Sequence, residues 1–524
     1  MPPATGIRIP QGARPAGRET FMTDASPSMP VVATRAGKLR GRMENGVAVF
    51  RGIPYAAPPV GELRFEPPRD HAAWPGERDA LADGPIAPQG RSRLAHIMGD
   101  FERPQSEDCL TLTLWTPKAD AGARPVMVWL HGGAYSSGAG SLPWYTGDRF
   151  AANGDVVFVS VNYRLGALGF LYLPGISDGN LGLLDQMQAL RWVRDNIAAF
   201  GGDPGNVTVV GQSAGGGSIA AMMTMPDAKG LFHRAILQSP GMGRPSRGAA
   251  EAAELGARYA HIVGIEPGDE AALKQVPVGK LLSAQGELAR SLAGFAVLSL
   301  PFSPVRDGRV IEGNIVERLQ AGVGGDVDVM VGTTREEMAA FHCVDQAVLN
   351  ADEAAARQVF ERICGPRFQD YYDEFRRLRA VPSPAAMLGD LTTDQVFRMG
   401  SLRLAEGQAK AGRAAYVYQF DWQSPVPGFK SCHCLEIPFV FNNRDNWRDS
   451  PMLEGADDAE FEGIAHAMHR AWIAFARGGN PNHAGLPHWE PYGLERRATM
   501  RFDTLIGTVN DLAGLSYRLP WPAI

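Results

Sequence analysis

The stretch Val207-Thr-Val-Val-Gly211-Gln-Ser213-Ala-Gly215-Gly-Gly-Ser-Ile-Ala-Ala221 decides the fold. Val207 to Val210 is a short apolar run, the pattern of a strand buried on both faces. The small residues from Ala214 onward read as a helix. Gly-x-Ser-x-Gly falls at the junction. There the chain must turn so tightly that the residues flanking Ser213 need almost no side chain. Such a turn lifts a hydroxyl above the strand end and aims a helix N-terminus at a reacting oxygen. Ser213 is therefore the candidate nucleophile. A dinucleotide fingerprint would need glycine at position 213, and a phosphate loop would need Gly-Lys-Ser/Thr, which the chain lacks. The remaining alternative is a glycine-rich helix start packed closely on a strand.

Working outward, similar apolar runs recur at Val126–Leu130, Val156–Val161, Ala235–Leu237, Val327–Val331 and Ala415–Tyr418. Val47–Phe50 reads as a further short strand. Leu110–Trp115 alternates polar and apolar, the pattern of a half-buried strand. Leu181–Phe200 and residues 461–477 carry apolar residues at helical spacing. Alternating strands and helices indicate an α/β architecture. Residues ~245–300 and ~345–410 are mostly helical and fall between sheet strands, so they are expected as insertions over one end of the sheet.

Glycine and proline make up 100 of 524 residues. That is about 19%, well above the usual ~12%, which excludes a long coiled coil or simple bundle. Hydrophobic residues are 45% and charged residues 21%, enough for a large core. The net charge of −6 argues against a nucleic-acid partner. No apolar run is long enough to span a membrane. Residues 1–33, rich in Pro, Ala, Gly and Arg, read as a disordered N-terminal extension without a secretory signal. Residues 34–524 read as a single domain. The five cysteines, Cys109, Cys343, Cys364, Cys432 and Cys434, make no disulfide framework and read as free thiols in a reducing compartment, which implies a cytoplasmic location.

A second glycine-rich loop, Trp129-Leu-His131-Gly132-Gly133-Ala134-Tyr135, follows the Val126–Leu130 strand. Together with Phe200-Gly-Gly-Asp-Pro-Gly-Asn-Val-Thr-Val-Val-Gly-Gln-Ser213-Ala-Gly215 and Glu107-Asp-Cys109-Leu-Thr-Leu-Thr-Leu-Trp115-Thr-Pro117, it resembles the type-B carboxylesterase family, which includes cholinesterases and bacterial para-nitrobenzyl-type esterases. Phe50-Arg-Gly-Ile-Pro-Tyr-Ala-Ala-Pro-Pro-Val-Gly61 and Asn162-Tyr-Arg-Leu-Gly-Ala-Leu-Gly-Phe170 are similar to further family segments. The resemblance spans about residues 31–520. It implies an α/β-hydrolase fold: a large mixed, mostly parallel sheet with helices on both faces and helical insertions over the active site.

The resemblance also implies site residues. Gly332-Thr-Thr-Arg-Glu-Glu337-Met matches the segment carrying a catalytic glutamate, which places the acid at Glu337. The family usually has glycine where Met338 stands, so Glu336 remains a competitor. His433-Cys-Leu-Glu436-Ile-Pro-Phe439 matches the segment carrying the catalytic histidine. Cys432, uncommon at its position, is expected to influence substrate access. Gly133, Ala134 and Ala214 supply oxyanion-hole N–H groups. Ser239 matches a serine that hydrogen-bonds near the acid, Asp394 an aspartate supporting the site, and Arg64 with Glu107 a structural ion pair. Leu298 and Leu300 fall near the acyl pocket. Residues 75–114 contain no tryptophan, which argues against a choline ester. His466 and His469 are three apart on a helix; a metal pair there is the sharp reading, ordinary helix positions the plainer one.

The function implied is a serine carboxylic-ester hydrolase acting through an acyl-enzyme on small to medium esters, with water as the second substrate. No metal or organic cofactor is called for. Amides, carbamates or lactones are the alternative substrates for the same triad. A non-catalytic interaction protein on this fold is the remaining one. Monomer and dimer stay open.

Overall fold

The computed structural model describes residues 7–8, 29–244, 246–266, 268–512 and 521. The strands of the large sheet are β1 (Ile7–Arg8), β2 (Arg42–Glu44), β3 (Val47–Pro54), β4 (Thr111–Thr116), β5 (Arg124–Leu130) and β6 (Val157–Val161). They continue as β7 (Gly202–Gln212), β8 (Arg234–Gln238), β9 (Asp328–Thr334), β10 (Ala415–Phe420), β11 (Ala498–Phe502) and β12 (Leu505–Asn510). Among the described residues they form one sheet in the order β1-β12-β11-β10-β9-β8-β7-β5-β6-β4-β3-β2. From β6 to β11 every pairing is parallel. The strands beyond, at both edges, pair antiparallel.

The central strands are continuous apolar runs because both faces are covered. Along β5, Val126, Val128 and Leu130 enter one core, while Met127 and Trp129 enter the other. Helices α1 (Leu181–Asn196) and α2 (Ala214–Met223) pack into the first. The long helix Asp458–Gly478 fills the second with Phe461, Ile464, Met468, Trp472 and Phe475, spaced along one helical stripe. Its N-terminus is capped by Asp457, whose carboxylate accepts from Glu460 N–H at 2.9 Å.

β4 departs from the half-buried strand expected. All six of its residues are buried. Its polar side chains are accommodated by hydrogen bonds rather than by solvent: Thr113 Oγ1 donates to Asp83 at 3.0 Å, and Thr116 Oγ1 to Phe200 O at 2.9 Å. The C-terminal hairpin β11–β12 falls in a stretch where no strand is expected. Residues 1–6 and 9–28, most of the expected N-terminal extension, lie outside the described residues. Within that extension Ile7–Arg8 pairs with Leu505–Ile506, and Val31–Ala33 forms a small-sheet strand.

The insertions are helical as expected: α3 (Ala249–Val263) and α4 (Val278–Ser291) in the first, then α5 (Glu353–Cys364), α6 (Phe368–Leu378), α7 (Pro384–Thr393) and α8 (Met399–Lys410) in the second. Between α7 and α8 the helix widens into a π-helical turn, Asp394–Arg398. Such wide turns are uncommon and concentrate at functional sites. This one brings Val396 and Phe397 to the cavity described next. No helix among the described residues is long and apolar enough to cross a membrane.

Candidate active site

Ser213 stands between β7 and α2 with φ +56° and ψ −118°. A non-glycine residue holds such a backbone only where its surroundings enforce it. Here they do. Ser213 N–H donates to Gln238 O of β8 at 2.8 Å, and Gly217 N–H donates to Ser213 O at 2.8 Å. The flanking glycines leave no room for alternatives. A Cβ on Gly215 would lie 2.0 Å from Leu130 O, and one on Gly211 2.6 Å from the Gly215 backbone.

The ends of three other strands converge on Ser213. The loop after β5 brings Gly132, Gly133 and Ala134, the turn after β9 brings Glu337, and the segment after β10 brings His433. All four strands belong to the parallel part of the sheet and present their C-terminal ends. That end is where open parallel sheets bind ligands.

His433 and Glu337 are both buried, with His433 Nδ1 2.5 Å from Glu337 Oε2. The other carboxylate oxygen accepts from Thr334 N–H at 2.8 Å. The ring of His433 is walled by Phe397, centroids 4.7 Å apart, and Phe341 at 5.7 Å. Glu336, the sequence competitor, points elsewhere: it accepts from Ser431 N–H at 3.3 Å and faces Arg335 at 3.4 Å. Met338 fits the site by packing with Val396 and Phe397.

The Nε2 side of His433 holds a residue that sequence reasoning passed over. Gln212 Nε2 lies 3.2 Å from His433 Nε2 and donates to Cys434 Sγ at 3.3 Å. With Nδ1–H directed at Glu337, Nε2 carries the lone pair, and the Gln212 amide donates to it. No hydrogen bond joins Ser213 Oγ to His433 in this arrangement, a looseness common before substrate binds. Gln212 occupies the unspecified position of Gly-x-Ser-x-Gly, so the motif itself carried no signal for it.

Across from His433, the N–H groups of Gly133, Ala134 and Ala214 donate to no acceptor among the described residues, and all three residues line the cavity. Gly133 has φ +113°. His131 beside them is structural. Its ring stacks on Tyr163 at 4.3 Å, and burial pushes its pKa down to about 4, which keeps it neutral.

The cavity has about 910 Å³ of empty space, including its open mouth. Leu298, Leu300, Val396, Phe397 and Trp144 give it a mainly apolar wall. Leu298 and Leu300, expected near the acyl pocket, both border this cavity. Cys432 does not: it is fully buried in the core, and Cys434 borders the cavity instead. Burial drives both thiols far above the usual range, away from thiolate reactivity.

The supporting residues divide. Asp394 is buried and paired with Arg398, whose Nη2 donates to Arg335 O at 2.8 Å beside the Glu337 turn. Ser239 is buried, and its hydroxyl makes no hydrogen bond among the described residues. A further buried carboxyl, Glu436, lies close enough to Glu337 and His433 to feel the charge of each. It accepts from Gln238 Nε2 at 3.1 Å, and burial together with the charge of Glu337 pushes its pKa up to about 7. The His-x-x-Glu spacing was its signal. Arg64 and Glu107 form their ion pair, with Arg64 Nε 2.6 Å from Glu107. His466 is exposed and His469 buried, with Nδ1 2.9 Å from Val440 O. No metal-binding group of His, Cys, Asp and Glu occurs among the described residues. All five cysteines are free.

Residues 28–512 match the sequence model of the carboxylesterase family. Phenmedipham hydrolase of Pseudarthrobacter oxydans is 40% identical over 90% of this chain and 94% of its own. Para-nitrobenzyl esterase of Bacillus subtilis is 38% identical, over 92% and 96% respectively. Among solved structures, a Geobacillus stearothermophilus carboxylesterase at pH 6.2 superposes with TM-score 0.84 at 39% identity, covering 94% of this chain and all of that one.

Proposed function

This chain belongs to the carboxylesterase family and is a carboxylic ester hydrolase with the α/β-hydrolase fold; from that premise we propose that Ser213, His433 and Glu337 are its catalytic triad. The observation that carries the assignment is the 2.5 Å contact between His433 Nδ1 and Glu337 Oε2, behind a histidine that shares one cavity with Ser213.

In this mechanism an ester enters with its carbonyl oxygen toward Gly133, Ala134 and Ala214. Ser213 Oγ attacks the carbonyl carbon while His433 Nε2 takes the hydroxyl proton. Glu337 fixes the Nδ1–H tautomer and stabilises the imidazolium. The three N–H groups receive the negative oxygen of the tetrahedral intermediate. The C–O bond to the alcohol breaks, and His433 protonates the leaving oxygen. Water then attacks the acyl-enzyme, giving up its proton to His433, and the acid departs with Ser213 restored. Before this cycle begins, the Gln212 amide must yield the Nε2 lone pair to the Ser213 hydroxyl.

The substrates proposed are small to medium carboxylic esters, in keeping with the size and apolar wall of the cavity. Amides, carbamates and lactones are the second reading. Relatives support keeping both: one is named for para-nitrobenzyl esters and another for phenmedipham, a carbamate. We also propose that residues 34–524 work as one domain and that the protein resides in a reducing, cytoplasmic compartment, supported by the five free cysteines. The test is turnover across a panel of esters, amides and carbamates by the wild type and a Ser213→Ala variant. Turnover of para-nitrophenyl esters lost in the variant is the expected result; normal turnover in the variant would sink the assignment.

A further inference from the structure

Two cations face the apolar cavity without a carboxylate partner. Arg244 and Arg93 both line it, and no Asp or Glu does. Neither arginine forms an ion pair among the described residues, whereas nearby Arg247 is paired with Glu251 at 3.1 Å. The two guanidinium groups are held by consecutive backbone carbonyls of one loop. Arg244 Nη1 donates to Leu298 O, and Arg93 Nη1 donates to Ser299 O at 2.9 Å. The Nε and Nη2 groups of Arg244 make no hydrogen bond among the described residues. They are not among the fully buried polar atoms without a partner, so they keep some accessible surface. Arg244 also borders a neighbouring cavity of about 540 Å³ that holds no acidic residue either.

Arg244 is partly buried and Arg93 exposed, and a charged side chain partly withdrawn from water favours a site that offers it an anionic partner. Burial and the nearby charges of Arg247 and Arg93 lower the pKa of Arg244 to about 10. Arg244 therefore remains a cation at neutral pH. A neutral ester would leave this charge unanswered. The planar guanidinium fork matches a carboxylate bidentately, and its orientation is already fixed by the Leu298 carbonyl, so little ordering remains for binding.

We propose that Arg244, assisted by Arg93 toward the solvent side, is a specificity residue that selects esters bearing a free carboxylate. The proposal rests on the hydrolase reading above and narrows its substrate class. Ester cleavage still takes place at Ser213; the carboxylate is an anchor and takes no part in bond making.

The experiment compares matched substrates. Para-nitrophenyl hemiglutarate is paired with para-nitrophenyl valerate, which places the charge on the acyl side. 4-Acetoxybenzoate is paired with phenyl acetate, which places it on the alcohol side. In the wild type, kcat/KM for the anionic member of one pair should exceed that for its neutral partner. In Arg244→Gln that ratio should fall about tenfold or more, the size of one lost charge-assisted hydrogen-bond pair. Arg244→Lys should restore part of it, and Arg93→Gln should lower it by less. Raising the salt concentration should lower the wild-type ratio without any mutation. A purely structural Arg244 would reduce both members of a pair equally. Unchanged ratios in Arg244→Gln, or a wild type that prefers the neutral member of both pairs, overturn the proposal and leave the hydrolase standing. Absence of turnover for every ester overturns the hydrolase reading, and this one with it.

Discussion

His433 Nδ1 lies 2.5 Å from Glu337 Oε2, with both side chains buried, while Glu336 next to it engages Ser431 and Arg335 instead. This contact fixes which face of the imidazole is free to accept a proton. Glu337→Gln keeps the shape but favours the wrong tautomer. It should lower kcat by roughly 10²- to 10⁴-fold with a small change in KM. Glu336→Gln should change kcat little. Steady-state kinetics on para-nitrophenyl acetate separate the two.

Gly133 tests the oxyanion loop. A Cβ there would lie 1.9 Å from Ser137 O, at a φ of +113° that side chains avoid. Gly133→Ala must displace the loop and its N–H groups. The expected loss is about 10²- to 10³-fold in kcat. Ser213 should still be labelled by a fluorophosphonate, only more slowly. Full activity in this variant would remove the loop from the mechanism.

Leu298 is partly buried against Met338, Val396 and Phe397 on the cavity wall. Shortening it enlarges the cavity and leaves Ser213, His433 and Glu337 in place. Leu298→Ala should move the preference among para-nitrophenyl esters toward longer acyl chains, with each CH₂ newly accommodated worth up to about 0.8 kcal/mol. An unchanged chain-length profile would place Leu298 outside the acyl site.

Glu436 makes stability depend on pH. Its pKa is about 7 when folded, against an ordinary 4.5. The folded state therefore holds the proton more tightly, and stability present at pH 4.5 is lost as pH rises through about 7. The loss is on the order of 3 kcal/mol. His131, His342 and His469, each pushed down to about 4 by burial, act in the opposite direction. Their contribution is present above pH 6.5 and is lost as pH falls toward 4. Glu436→Gln should raise the melting temperature at pH 8 and leave it nearly unchanged at pH 4.5. Equal effects at both pH values would contradict the assigned ionisation.

Much of this arrangement was legible in the chain because its physics is local. The turn at Ser213 requires Gly211 and Gly215 within two residues, and central strands such as β5 and β6 are mostly apolar because helices cover both faces. What escaped depends on contacts between distant segments. Thr113 can be buried because its hydroxyl donates to Asp83, a partner that no alternation within 110–115 can report. Gln212 acts on His433 from 221 positions away in the chain. Arg244 looks like any surface arginine until the Leu298 loop folds over it. Cys432 and Cys434 are neighbours of the same histidine, yet Cys434, with a left-handed backbone at φ +76°, borders the cavity and Cys432 does not.

The central claim is that Ser213 is the group acylated during turnover. The direct measurement is peptide mass spectrometry of the protein after reaction with a fluorophosphonate, in parallel with residual activity toward para-nitrophenyl butyrate. The account predicts one adduct per chain, on Ser213, accumulating in step with loss of activity and absent from Ser213→Ala. Activity that persists with Ser213 fully modified, or inactivation with the adduct on another residue, would contradict it.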